Sequence, residues 1–408
     1  MMFPSKKIKI VGVLMLFKII GCIFLLKSWT AQKQNQNPAS QQIAAPAAPA
    51  APAVQFWQKV SVSESFWNRE QQRLDLTHNP NYVLYLASSS ELPDWLNAAA
   101  PESDPCQPDW RVRRQIADYN LLSELFQDFL LFHHCRSFPL LINQERVCDD
   151  APFVLLVVKT LEAHFERRQA IRETWGRAGV VANRTVATVF LLGKATPADN
   201  HPNLTYLLRH EAEVFGDILQ WDFRDTFFNL TLKDVMFLDW FRSFCPDAQF
   251  VLKGDDDVFV NTPGIIDFLA NLPPHKTADL FTGDVITNAG PHRDRKLKYY
   301  VPESYFVGSY PSYAGGGGFL YSGQLALRLH EVSKRVAFFP IDDVYTGMCL
   351  EKLGLVPEKH DGFRTFDIMA KHKDNPCIHR TLMVVHSRTP EEIKHIWRWI
   401  EQPELGCQ

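Results

Sequence analysis

One stretch of the sequence combines residue type and spacing in a way that suggests chemistry: Phe250-Val251-Leu252-Lys253-Gly254-Asp255-Asp256-Asp257-Val258-Phe259-Val260. An apolar, strand-like run ends in three consecutive carboxylates, and a second apolar run follows. Neighbouring carboxylates oppose one another's ionisation unless a cation offsets them, and hard oxygen ligands suit Mg²⁺ or Mn²⁺. A solvated acidic turn is the alternative. The flanking apolar runs instead set the acids at a strand end, where ligands of open α/β sheets gather. A second acidic pair, Asp342-Asp343, opens a helical stretch that continues through Cys349, Leu350 and Leu353. One of the two can cap that helix, which leaves the other free to act as a base in a closed, partly dry site. His386 ends the apolar run that begins at Leu382, and imidazole suits Mn²⁺ when other ligands converge on it.

Two more features belong with these acids. From Tyr313 to Ser322 the chain carries glycine at positions 315 to 318, so the backbone around Gly316 and Gly317 can come close to a ligand; a plain hinge is the other reading. The stretch lacks the Lys-Ser/Thr of a phosphate-cradling P-loop. Lys159, Arg168 and Arg172 follow the first predicted strand, where a nucleotide's phosphates or base edge would meet them, and Arg forks onto phosphate oxygens. Pairing of Arg with Glu along a surface helix explains Arg167 and Glu173 equally well.

The elements that must position these groups alternate. Apolar runs of strand length, Phe153 to Val158, Thr185 to Leu192, Ile218 to Trp221, Phe250 to Lys253 and Leu280 to Thr282, are separated by helical stretches such as Arg167 to Trp175 and Leu230 to Phe244. This alternation predicts an α/β fold on a mostly parallel central sheet. Ahead of it, residues 56–150 are rich in Trp and helical periodicity. From Asp118 to Phe132 the apolar residues Leu121, Leu122, Leu125, Phe126, Phe129 and Leu130 fall on one helical face, which predicts a helical N-terminal cap.

The 408 residues, 46% hydrophobic and 12% aromatic, suffice for a large core. A formal charge of -3 provides no basic field of the kind that binds nucleic acid. Lys6, Lys7 and Lys9 lead into a mostly apolar run from Ile8 to Leu26 that is interrupted by Lys18. A cleavable signal has similar flanks, but Lys27-Ser28-Trp29 is no small-x-small cleavage site, so a retained single-pass anchor is expected, with a cytosolic N-terminus. The organisation that follows is a tail (1–7), an anchor (8–26), a Pro/Ala/Gln-rich stem (27–55), the cap (56–150) and a catalytic domain (151–408). Outside the anchor lie seven cysteines, none in a CxxC pair, which predicts a few disulfides and one thiol left over. Sequons at Asn183, Asn203 and Asn229 agree with a lumenal address.

The motifs Arg167-Arg168-Gln169-Ala170-Ile171-Arg172-Glu173-Thr174-Trp175, the acidic triplet, the glycine stretch and Asp342-Asp343-Val344-Tyr345 occur in the order seen in β-1,3-glycosyltransferases. From roughly Phe56 onward the chain resembles that family. The stretches Phe227 to Lys233, Asn288 to Asp294 and Lys296 to Tyr300 look most like its β-1,3-N-acetylglucosaminyltransferases, which extend poly-N-acetyllactosamine. The resemblance implies a GT-A fold, UDP-N-acetylglucosamine as donor, a galactose-terminated glycan as acceptor, and a Golgi membrane setting with the catalytic domain lumenal; an oligomer is compatible with it. It also implies that Asp257 and His386 hold Mn²⁺, with Mg²⁺ as the other choice, that Asp255 and Asp256 face the donor, and that Asp343 is the base. β-1,3-Galactosyl transfer would reuse every one of these motifs. A lumenal metal-dependent phosphohydrolase and a non-catalytic glycan-binding protein are the readings from other classes.

Overall fold

A computed structural model of the chain describes residues 65–78, 106–196 and 202–402. The expected tail, anchor and stem lie outside the described residues. Among the described residues no helix is long and apolar enough to cross a membrane.

The strands, in chain order, are β1 (Leu140–Ile142), β2 (Val154–Lys159), β3 (Gly179–Val181), β4 (Arg184–Lys194), β5 (Ile218–Arg224), β6 (Phe250–Asp255), β7 (Phe259–Val260), β8 (Phe281–Ile286), β9 (Tyr313–Ser322), β10 (Glu358–Lys359), β11 (Phe363–Arg364) and β12 (Val384–Val385). The helices that matter to the site are α1 (Phe66–His78), α2 (Glu124–Leu131), α3 (Phe165–Glu173), α4 (Thr205–Phe215), α5 (Leu230–Phe244), α6 (Gly323–Ser333), α7 (Asp342–Lys352) and α8 (Pro390–Glu401). The main sheet has the order β1-β5-β4-β2-β6-β9-β8-β10, with β3 paired to β4, and a small second sheet runs β11-β12-β7.

Strands β5, β4, β2 and β6 form a parallel block. The most central, β2, is buried along its whole length, with Leu155 and Val157 packed into one apolar layer and Val154, Leu156 and Val158 into the other. Burial on both faces is why it reads as an unbroken apolar run. Outside this block β1, β3, β8 and β9 pair antiparallel, so the sheet is mixed rather than mostly parallel.

The main source of that difference is β9. The glycine stretch is a strand between β6 and β8, not a loop or hinge. A Cβ on Gly254 would lie 2.9 Å from the Gly317 carbonyl oxygen, so side-chain-free backbone lets the two strands approach. On its other side β9 bulges. Gly283 faces Phe319, yet Val285 faces Ala314, so the glycines project from the β8 pairing.

The N-terminal region is less uniformly helical than its periodicity suggests. Tyr119–Leu121 is a 3₁₀ turn, and α2 begins only after Ser123, whose side chain accepts from the Phe126 amide. Phe126, Phe129 and Leu130 are buried as expected, but Leu121 is exposed. β1 also comes from this region and adds an edge to the sheet. Helix α1 docks on the segment before α7: Trp67 Nε1 donates to the Ala337 carbonyl, and Gln71 exchanges hydrogen bonds with Arg335 and Ala337. Disulfides join Cys106 to Cys135 and Cys148 to Cys245, and Cys377 is also disulfide-bonded. Cys349 is a free thiol, fully enclosed, and burial pushes its pKa up to about 12. Among the described residues the expected combination of a few disulfides and one spare thiol is present.

Candidate active site

The site forms where the parallel block ends. Residue-for-residue pairing of β2 with β6 sets Lys159 opposite Asp255, and the Lys159 ammonium reaches that carboxylate at 3.1 Å. It also donates to Asp342 Oδ2 at 2.5 Å. Lys159 is buried between these two acids, and their charge raises its pKa against the desolvation that opposes it. Lys159 therefore ties α7 to the end of β6. Its ammonium is committed to carboxylates rather than presented to a ligand's phosphate.

Asp342 does not cap α7; that helix has no side-chain cap, and the carboxylate is spent on Lys159. Asp343, next along the first turn, is different. Its Oδ1 is buried and has no hydrogen-bond partner. Burial, and then the Asp342 charge, push its carboxyl well above the usual range. A Cβ on Gly316 would lie 2.6 Å from Asp343 Oδ1, so the glycine makes the space that the carboxylate occupies. A part-buried acid with one enclosed, unpaired oxygen and a raised pKa suits proton abstraction near neutral pH.

Asp255, Asp257 and His386 bring one ligand atom each within 4.8 Å of one another. His386 Nδ1 bonds to the Thr365 carbonyl at 2.9 Å, which makes it the protonated nitrogen and leaves Nε2 facing Asp257 Oδ1 at 3.2 Å. The hydrogen bond and charge of Asp257 raise the histidine's pKa, and against the burial that opposes it His386 in turn holds the Asp257 carboxyl below its usual range. A Cβ on Gly317 would be 3.0 Å from the His386 Cβ, so adjacent glycines of β9 admit the histidine and Asp343. Two part-exposed carboxylates and one oriented imidazole nitrogen are a donor set that fits a divalent Mn²⁺ or Mg²⁺ ion.

Asp256 points away from this cluster. It is buried and accepts hydrogen bonds from Thr160, His164 and Arg167, which together hold its carboxyl below the usual range despite burial. With both oxygens occupied it fixes the start of α3 and is not presented to a ligand. Arg168 and Arg172 also depart from expectation. Arg168 is fully buried and forks onto Glu211 of α4, and Arg172 bonds Glu211 and Asp217. These contacts brace α3 against α4 and the start of β5.

The guanidinium that does reach the acids is Arg167, at 2.8 Å from Asp256 Oδ1 and 3.6 Å from Asp257 Oδ2, with a third of its side chain exposed. Sequence reading missed Arg167, His164 and Thr160. Successive residues of a helix point about 100° apart, so only one of Arg167 and Arg168 can face the site, and spacing alone does not say which. Beside the acids, at the carboxyl ends of β2, β4 and β5, a cleft of about 340 Å³ is lined by Leu161, Glu162, Ala195, Asp225, Thr226 and Phe227. Asp225 Oδ1 and Thr226 Oγ1 are buried there without partners.

A mixed α/β fold with an unpaired carboxylate oxygen, a carboxylate–histidine cluster and a polar cleft at the sheet's carboxyl edge has the parts that a group-transfer enzyme can use. Known proteins sharpen this. The family described as Galactosyltransferase matches residues 166–361, which include the acids and the glycine strand. The N-acetyllactosaminide beta-1,3-N-acetylglucosaminyltransferase 2 of Mus musculus is 50% identical over 98% of this chain and 99% of its own, and that of Homo sapiens 49% identical over 98% and 99%. The Homo sapiens acetylgalactosaminyl-O-glycosyl-glycoprotein beta-1,3-N-acetylglucosaminyltransferase is 43% identical over 71% of this chain and 78% of its own. The chain belongs to the family of β-1,3-N-acetylglucosaminyltransferases.

Proposed function

We propose that the chain transfers N-acetylglucosamine from UDP-N-acetylglucosamine to the 3-hydroxyl of a terminal β-galactose, inverting the anomeric centre and extending N-acetyllactosamine chains. The observation that carries this reading is the part-buried Asp343 carboxylate, with its Oδ1 enclosed and unpaired and its pKa raised, beside a cluster fitted to a divalent cation.

Asp343 takes the proton of the galactose 3-hydroxyl as that oxygen attacks the anomeric carbon on the face opposite the departing UDP. Asp342 and Lys159 hold the first turn of α7 so that Asp343 stays in line. Asp257 and His386, with Asp255, are the residues that would hold Mn²⁺, which when bound supplies charge neutralisation for the leaving diphosphate. Arg167 lies against the same acids and adds a positive group on the diphosphate side. Asp225 and Thr226 line the cleft that would take the uridine. The family setting supports a lumenal, Golgi catalytic domain (151–408) with its cap (56–150), carried on a stem (27–55), an anchor (8–26) and a cytosolic tail (1–7).

The test incubates the protein with UDP-N-acetylglucosamine, Mn²⁺ and an N-acetyllactosamine acceptor, with and without chelator, and determines the product linkage. A β1-3 product that chelator abolishes is expected. UDP release that needs no acceptor would instead make the protein a phosphohydrolase, and product from UDP-galactose alone would make it a galactosyltransferase.

A further inference from the structure

We propose that Phe366, with Met369 three residues further along, is the platform on which a sugar ring of the acceptor glycan stacks; this rests on the transfer reading above and names the surface its acceptor uses. Both side chains are conspicuously open, Phe366 77% exposed and Met369 62%. Their neighbours are fixed. Thr365, immediately before, takes the Asp284 carboxylate on its amide at 3.1 Å, and its carbonyl accepts from His386 Nδ1 at 2.9 Å. Its side chain fills the space over Gly315, where a Cβ would come within 2.5 Å of it. Asp367, immediately after, sits at a positive φ of 70° and is clamped by Arg388 at 2.6 Å and Lys373 at 2.5 Å. A positive φ at a non-glycine residue is a strained conformation that the surrounding contacts must impose.

Phe366 is therefore displayed by a pinned backbone rather than left on a loose loop. It stands close to the carboxylate–histidine cluster: the Thr365 carbonyl, one residue before Phe366, accepts from the His386 ring, whose Nε2 faces Asp257 Oδ1 at 3.2 Å. The partner's chemistry follows from the side chains. Phenyl and thioether carry no charge for a diphosphate, but they match the apolar C–H face of a pyranose whose hydroxyl rim stays in water. A pre-fixed aromatic gives such contact at little entropic cost.

The test compares the full chain with its F366A and F366W variants, titrating N-acetyllactosamine tetrasaccharide in the presence of Mn²⁺ and UDP and measuring KM for donor and acceptor. F366A is expected to raise the acceptor Kd and KM about tenfold, the size of one aromatic contact. The donor KM and the acceptor-independent hydrolysis of UDP-N-acetylglucosamine stay unchanged, and F366W restores the acceptor terms. Unchanged acceptor affinity in F366A overturns the proposal. A rise in donor KM instead assigns the ring to the donor's N-acetyl group, and a loss that tryptophan does not restore assigns it to loop structure; either result also overturns it. Failure of the unaltered protein to bind any galactose-terminated glycan removes the transfer reading itself.

Discussion

The Gly316→Ala substitution separates base positioning from folding. Gly316 has no positive φ, so alanine suits its backbone. The added Cβ, however, would lie 2.6 Å from Asp343 Oδ1 and 2.7 Å from Oδ2. Ordinary contact is about 3.4 Å or more, so the carboxylate must move by the better part of an ångström. It can, because it is the free end of a side chain without a hydrogen-bond partner at Oδ1. The folding cost is then small, about 1–2 kcal/mol of overpacking. The catalytic cost is not: displacing a reacting group by about 1 Å costs on the order of 100-fold in rate. Initial rates on an N-acetyllactosamine acceptor should show kcat reduced about 100-fold with donor KM held within a factor of about 2. Gly317→Ala is the internal control, since its Cβ meets His386 at 3.0 Å; it should raise the Mn²⁺ concentration needed for half-maximal rate. A Gly316→Ala enzyme with kcat within about threefold of the parent would refute the assignment of Asp343 as the base.

Other outcomes follow from the same geometry. The acid limb of the kcat profile should lie above the ordinary carboxylate range, because Asp343, as the proposed base, must be ionised to accept a proton and its pKa is raised. Asp342→Asn removes a negative charge that contributes to that rise, so its limb should move to lower pH; a limb that moves up or stays fixed would count against the coupling. Arg168→Met should cost about 2–3 kcal/mol of stability, read as a fall in Tm, because the buried Glu211 loses its forked partner and keeps only Arg172. Arg167→Gln should reduce turnover with a Tm close to the parent's; the reverse pattern would exchange the two roles. Reduction of the disulfides should lower the thermal midpoint, since the Cys148–Cys245 link closes 97 residues, for which about 4–5 kcal/mol is expected.

Most of the architecture was legible in the chain. The runs around β2, β4, β5 and β6 and helix α5 lie where apolar period and length placed them, because a strand buried on both faces has little choice of residue. The glycine stretch was the main misreading. Four glycines carry no period, and what makes them a strand is pairing with β6 and β8, partners far along the chain. The broken periodicity after Leu121 failed for a local reason: Ser123 offers the amide of Phe126 a cap, and a new helix starts there.

By itself the sequence determined the chemical kinds: a carboxylate cluster at a strand end, an acidic pair at a helix start, a histidine ending a short strand, and the family these compose. Which acid does what was decided only by the tertiary structure. Asp255, Asp256 and Asp257 are alike in sequence, yet one meets Lys159, one is saturated by Thr160, His164 and Arg167, and one faces His386. Asp342 and Asp343 divide likewise, one held by Lys159 and the other left with an unpaired buried oxygen. Adjacent residues point in different directions, and the charge of a carboxylate takes its meaning from the groups that folding brings against it, which come from other elements of the chain.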